Sequence, residues 1–153
     1  MKNKIIIGVV ILIVSIQFFR IDKSNPTSDP KVDLFTVEQV PEDVQAIIKT
    51  SCFDCHSNNA VYPWYTNVAP VSWWVKQHIN EGRDELNFSE WGSYSIKRKL
   101  HKLEEIGEEI EEGEMPLNTY LWVHDEAKLT DQQQKKLINW AKELRTGEQI
   151  EEL

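Results

Sequence analysis

The chain opens on an apolar run and then changes character. After Lys2 and Lys4, residues 5–19 carry no charge, and only Gly8, Ser15 and Gln17 interrupt a series of Ile, Val, Leu and Phe. A segment that is terminal, apolar all round and followed by polar chain reads as a membrane helix rather than a buried core helix. Counted from Ile5 to Ile21 it has 17 residues, which at ~1.5 Å per residue spans about 25 Å, slightly short of a hydrocarbon core of ~30 Å. A cleavable export signal wants small residues after the apolar stretch, whereas Gln17-Phe18-Phe19-Arg20 is bulky and charged. An uncleaved anchor over residues 1–21 is therefore expected. Residues 22–38, with Ser24, Pro26, Ser28 and Pro30, read as a linker. Residues 39–153 then form the folded domain.

Within that domain the apolar positions recur with helical spacing. Val44, Ile47 and Ile48 fall at i, i+3 and i+4 behind Pro41, with Glu42 and Asp43 placed for the positive end of a helix dipole. Val71, Trp74, Val75, His78 and Ile79 predict a second helix closed by Gly82, and Ile96, Leu100, Leu103, Ile106 and Ile110 a third that stops near Gly113 and is weakened at Gly107. A last helix is expected from Thr130, where Thr130 and Gln133 have the spacing of a capping box, with Leu137, Ile138, Ala141 and Leu144 on its buried face. No stretch alternates long enough to argue for a sheet. The expected fold class is all-α, a small helical domain behind an N-terminal transmembrane helix.

Composition narrows the function. At 153 residues one core is the default, and 17 basic against 25 acidic residues give a net charge of −8. Nucleic acid is thereby excluded as a partner, since its binding draws on Lys and Arg replacing counterions on phosphates. The two cysteines, Cys52 and Cys55, are too few for a disulfide scaffold and stand three positions apart. Their spacing is a matter of chemistry before framework.

Cys52-Phe53-Asp54-Cys55-His56 has the C-x-x-C-H spacing of covalent haem c attachment. Two thiols three residues apart at a helix end can each add to a haem vinyl group, and the adjacent His then lies under the iron as its proximal ligand. Zinc would need further ligands, and no His pair stands at H-x3-5-H spacing. A thioredoxin-like dithiol would want a βαβ context, and a plain disulfide is the bland alternative. Haem c is ligated outside the cytoplasmic membrane in bacteria, where the anchor would place this domain.

The motif does not stand alone. Val40-Pro41, the Cys52–Ser57 stretch, Tyr62-Pro63-Trp64-Tyr65, Ala69-Pro70-Val71-Ser72-Trp73, Asn87-Phe88-Ser89-Glu90-Trp91 and Gly113-Glu114-Met115-Pro116 together resemble the bacterial haem-binding domain family of cytochrome c type proteins. The resemblance covers nearly the whole domain. It implies one covalent haem, with Cys52 and Cys55 as thioether anchors and His56 as proximal ligand, and says little about partners.

The sixth iron position is open to several residues. Met115 is the only methionine besides Met1, and its Gly-x-Met-Pro turn before the last helix is similar to that of class I cytochromes c. Thioether sulfur is a good axial ligand that raises the reduction potential relative to a second imidazole. Filling a gap in the core is the other use of such a residue. His78 on an apolar helix face, His101 and His124 are the rivals, and a five-coordinate iron is the remaining option. His101 and His124 are expected at the surface. Trp64, Tyr65, Trp73, Trp74 and Trp91 are expected mainly as core or pocket wall, with a membrane or carbohydrate platform as the sharper reading. The glutamates between Glu104 and Glu114 are expected as a solvated helix face whose field would attract a basic redox partner.

These expectations converge on a monohaem c-type cytochrome held by its N-terminal helix in the cytoplasmic membrane. Its domain would lie on the periplasmic or outer side and exchange single electrons with redox partner proteins. Bond-breaking catalysis is not indicated, as no acid and base pair, nucleophile triad or phosphate loop appears. The alternative is a haem sensor or small-gas binder with an open or labile sixth position.

Overall fold

In the computed structural model, residues 1–151 are described, with side chains as far as Glu148, and their regular structure is entirely helical. The helices are α1 (Lys2–Ile16), α2 (Leu34–Val37), α3 (Glu42–Ser51), α4 (Phe53–His56), α5 (Val71–Glu85), α6 (Ile96–Glu112), α7 (Asn118–Leu121) and α8 (Asp131–Glu151). Short 3₁₀ turns at Trp64–Asn67, Phe88–Ser93 and Asp125–Ala127 complete the order.

The N-terminal apolar helix is shorter than expected. It stops at Ile16 rather than continuing to Ile21, because the Gln17 side chain turns onto the domain, its amide nitrogen donating to the Ile13 (3.0 Å) and Ala69 (2.9 Å) carbonyls. At 15 residues α1 is about 22 Å long. Among the described residues no helix is long and apolar enough to cross a membrane. The stretch expected as linker is fastened down as well. Asn25 donates to the Ala60 carbonyl (2.9 Å) and accepts from Arg83 (2.7 Å), and Leu34 is fully buried in the core. The core therefore begins before residue 39.

That core is made by α3, α6 and α8. Val44, Ile47 and Ile48 of α3 meet Leu137, Trp140 and Ala141 of α8, which pack in turn on Leu103 and Ile110 of α6. Their burial removes the apolar stripes from water at roughly 25 cal/mol per Å². The helix starts are secured locally. Ser95 caps α6 by accepting from the Arg98 amide, and Thr130 and Gln133 exchange the reciprocal bonds of a capping box at α8. One helix boundary differs from the pattern reading. Gly82 does not close α5, which runs to Glu85, whereas α6 runs through Gly107 and stops at Gly113 as expected. The apolar faces on either side of each glycine hold the helix, outweighing a cost of about 1 kcal/mol.

A bridge of charge ties the ends of the domain together. Lys99 lies between Glu38 (2.8 Å) and Glu148 (3.1 Å), all three side chains largely shielded, and Glu38 also accepts from the indole N–H of the fully buried Trp91 (2.9 Å).

Candidate functional site

The chain bends at Cys52, where φ/ψ of −124°/−33° end α3, and then makes one further turn, α4, with the Cys55 and His56 amides donating to the Cys52 carbonyl at 3.2 and 2.9 Å. Phe53 anchors this turn from behind, stacked between Phe35 (5.3 Å) and Phe88 (5.9 Å). On the far side of α4 lies α5, pressed so close that a methyl group on Gly82 would stand 2.9 Å from the Cys55 carbonyl oxygen and 3.1 Å from its Cβ. Only glycine permits that approach.

The close packing decides the chemistry of His56. Its Nδ1 lies 2.9 Å from the Gly82 carbonyl and 3.0 Å from that of Leu86. Both partners only accept, so Nδ1 must carry the proton and Nε2 keeps its lone pair. Burial pushes the imidazole below its usual pKa, toward the neutral form, although the two carbonyls oppose this. A ring held in one tautomer by second-shell carbonyls is the form in which histidine binds metal.

Two cavities flank the imidazole. One, of about 280 Å³, is lined by Cys52, Cys55, His56 and Met115 together, with His78, Gly82 and Tyr120 around them. The other, of about 260 Å³, continues past Cys52, His56 and Met115 to Phe88, Ile106, Leu137 and Trp140. All four expected site residues thus line one cavity. Met115 arrives there because α6 ends in a Schellman turn. Gly113 takes φ +76°, its amide reaches the Ile110 carbonyl (3.3 Å), and the Glu114 amide reaches that of Glu109 (3.0 Å). Both cysteines are free thiols, and burial pushes Cys52 up to about 12 and Cys55 to about 11, so they stay protonated at neutral pH. Among the described residues no three His, Cys, Asp or Glu side chains gather to hold a metal ion. One imidazole, one thioether and two thiols stand around a largely apolar cavity. They suit a planar apolar macrocycle carrying its own metal.

A family model describing a haem-binding domain matches residues 11–143. The chain belongs to the haem-binding domain family. No curated protein and no solved structure matches it.

The remaining histidines of this haem-binding domain separate. His78 lines the shared cavity, and its Nδ1 donates to the Trp74 carbonyl (2.9 Å). His101 is exposed and pairs with Glu105 (3.1 Å). His124, expected at the surface, is instead largely covered. Its Nε2 meets the Tyr65 hydroxyl at 2.7 Å, its Nδ1 meets Glu126 at 3.0 Å, and its ring stacks on Tyr120 at 4.1 Å. Tyr120 donates to Asp54 (2.8 Å), inside the motif itself, while the other Asp54 oxygen accepts from the Val61 amide (3.0 Å). This Asp54–Tyr120–His124–Tyr65 assembly was not legible from spacing. Its members lie far apart in sequence, and only the fold brings them to α4.

Lys102 was missed for the same reason. A lysine on the apolar side of α6, it faces the cavity between Glu85 (3.2 Å) and Glu105 (2.6 Å). Of the glutamate run, Glu105 and Glu109 line that cavity, Glu104 pairs with Arg145 (3.0 Å), and Glu108, Glu111 and Glu112 face solvent. The tryptophans also divide. Trp91 and Trp140 are buried, Trp64, Tyr65 and Trp74 line a further cavity that also touches Cys55 and His78, as expected of pocket wall, and Trp73 is exposed.

Proposed function

We propose that this haem-binding domain is a monohaem c-type cytochrome that passes single electrons outside the cytoplasmic membrane. The observation that carries the reading is His56, whose Nδ1–H is shared by the Gly82 and Leu86 carbonyls and whose Nε2 is left free beside Cys52, Cys55 and Met115. When bound, the haem supplies an iron that alternates between ferrous and ferric states. Cys52 and Cys55 would hold it covalently, and His56 and Met115 would supply ligands to its iron. Ile106, Leu137 and Trp140 would give the macrocycle an apolar wall. Glu105 and Glu109 at the cavity give it a negative field, which favours the more positive ferric state and a basic redox partner protein.

The α1 helix, with Ile5 to Val14 exposed along its length, serves as the anchor. Its ~22 Å falls short of a ~30 Å hydrocarbon core, a mismatch that reaching Lys2 and Lys4 side chains and local thinning of the bilayer take up. The domain then lies on the periplasmic side.

Absorption spectra of the chain exported with a haem c maturation system, before and after denaturation, test the reading. Haem that survives denaturation, together with a ferric methionine-to-iron band that Met115→Ala removes, supports it. Absence of covalent haem overturns it. A second reading, a gas-binding domain with a labile sixth ligand, is favoured by His78, whose Nε2 is also free beside the same cavity. Ready carbon monoxide binding to the reduced native protein, or a spectrum that changes in His78→Ala and not in Met115→Ala, would replace the first reading by the second.

A further inference from the structure

We infer that the face built by the Trp64–Asn67 turn, the start of α5 and the Trp122–Val123 corner lies flat on the lipid bilayer, and that its occupant is the outer leaflet next to α1. The inference rests on the anchor reading given above and adds to it the orientation of the domain.

Large apolar side chains are exposed here. Trp64 is 77% exposed and Trp122 80%, with Val68, Val71, Trp73 and Val123 exposed beside them. Trp64, Val71, Trp74, Trp122 and Val123 line one cavity of about 590 Å³ together with Cys55, His78 and Tyr120, so they form a continuous patch that adjoins the haem site rather than scattered singles. The patch has a fixed relation to the anchor. The Gln17 amide exchanges two bonds with the Ala69 backbone (2.9 and 3.0 Å), Arg20 donates to the Asn67 carbonyl (2.7 Å), and the Trp73 indole donates to the Phe19 carbonyl (2.9 Å). Wherever α1 enters lipid, this face follows it to the surface. Its chemistry fits that place. Tryptophan favours the headgroup level, where its ring is in apolar surroundings and its N–H stays wet. Arg20 and Lys23, both bonded to Asn67, bring positive charge to anionic headgroups, in a chain that is otherwise acidic.

The test uses the full haem-loaded chain in vesicles of equimolar phosphatidylethanolamine and phosphatidylglycerol. Val68→Cys, Val123→Cys and, as a water-side control on α6, Glu108→Cys are each labelled with a nitroxide. Collisions of the label with dissolved oxygen, which partitions into lipid, and with a water-soluble nickel chelate are then measured. The expected result is severalfold lower nickel access and higher oxygen access at Val68→Cys and Val123→Cys than at Glu108→Cys. Adding Trp64→Ser and Trp122→Ser should return both positions toward the control, in protein that still carries covalent haem. Equal nickel access at all three positions, in protein that still floats with the vesicles, overturns the docking and leaves the anchor standing. Failure to float overturns the anchor and the docking with it. Labels shielded from both nickel and oxygen, with a second copy or another protein cross-linked to the face, would mean that protein rather than lipid covers it.

Discussion

Replacing Gly82 by alanine tests whether the approach of α5 to the motif turn is what holds His56. In the interior of a 15-residue helix, propensity alone favours alanine over glycine by about 0.8–1 kcal/mol. The structure predicts the opposite sign. The new Cβ would lie 2.9 Å from the Cys55 carbonyl oxygen and 3.1 Å from its Cβ, where unstrained contacts begin near 3.4 Å, so α4 and α5 must part by about half an ångström. Overpacking of this kind costs about 1–3 kcal/mol. Parting the helices also stretches the bonds from His56 Nδ1 to Gly82 and Leu86, each worth roughly 1 kcal/mol. The net expectation is a loss of about 1–3 kcal/mol in urea unfolding, with reduced haem incorporation and an altered iron-histidine stretching frequency. Gly107→Ala is the matched control. A methyl group there meets no atom within 4 Å, so it should gain about 0.5–1 kcal/mol with the haem spectrum unchanged. If Gly82→Ala is stabilising to the same extent as Gly107→Ala and keeps the iron-histidine frequency, the tight packing against Cys55 is not what orients His56.

Other consequences can be measured in the same material. Lys99→Met leaves Glu38 and Glu148 facing each other in a shielded site and should cost about 2 kcal/mol near neutral pH, a penalty that shrinks in acid as the carboxylates protonate; equal cost at both pH values would refute it. The Tyr120 phenol is held above its usual 10 by burial and then by Asp54. Its contribution to stability is therefore complete below pH 10 and is lost as pH rises beyond that value. Tyr120→Phe should cost about 1–2 kcal/mol at neutral pH and lessen the alkaline loss seen by calorimetry, so an unaltered alkaline limb would count against the bond to Asp54. Electron transfer to a cationic cobalt complex should slow as salt rises, through Glu105 and Glu109 beside the cavity, and Glu105→Gln with Glu109→Gln should flatten that dependence. A flat response in the unaltered protein would remove the electrostatic argument.

Periodicity located α3, α6 and α8 because each buries one stripe, written locally in the spacing of Val44, Ile47 and Ile48 or of Leu103, Ile106 and Ile110. Helix α5 forms where expected but buries only Ile79 of its predicted face, leaving Val71 and Trp74 exposed. Boundaries were less legible. Gly82 carries a stop signal that tertiary packing overrides, and at the end of α1 the Gln17 side chain hydrogen-bonds to Ala69, 52 residues away. The linker composition of residues 22–38 gave no hint that Leu34 would be a core residue, since a single apolar position has no period.

By itself the sequence determined the chemistry available: two thiols and an imidazole at C-x-x-C-H spacing, a lone internal methionine, a helical domain and an apolar leader. Those are covalent and local properties, set by residue type and by neighbours within a turn or two. Only the tertiary structure decided that the imidazole keeps Nε2 free, that Met115 and His78 line the same cavity, and that Asp54, Tyr120, His124 and Tyr65 form one assembly. It also decided that the tryptophans divide between core and surface. Each of these rests on groups many residues apart meeting at hydrogen-bonding or van der Waals distance. That is fixed by how helices pack and not by any pattern along the chain.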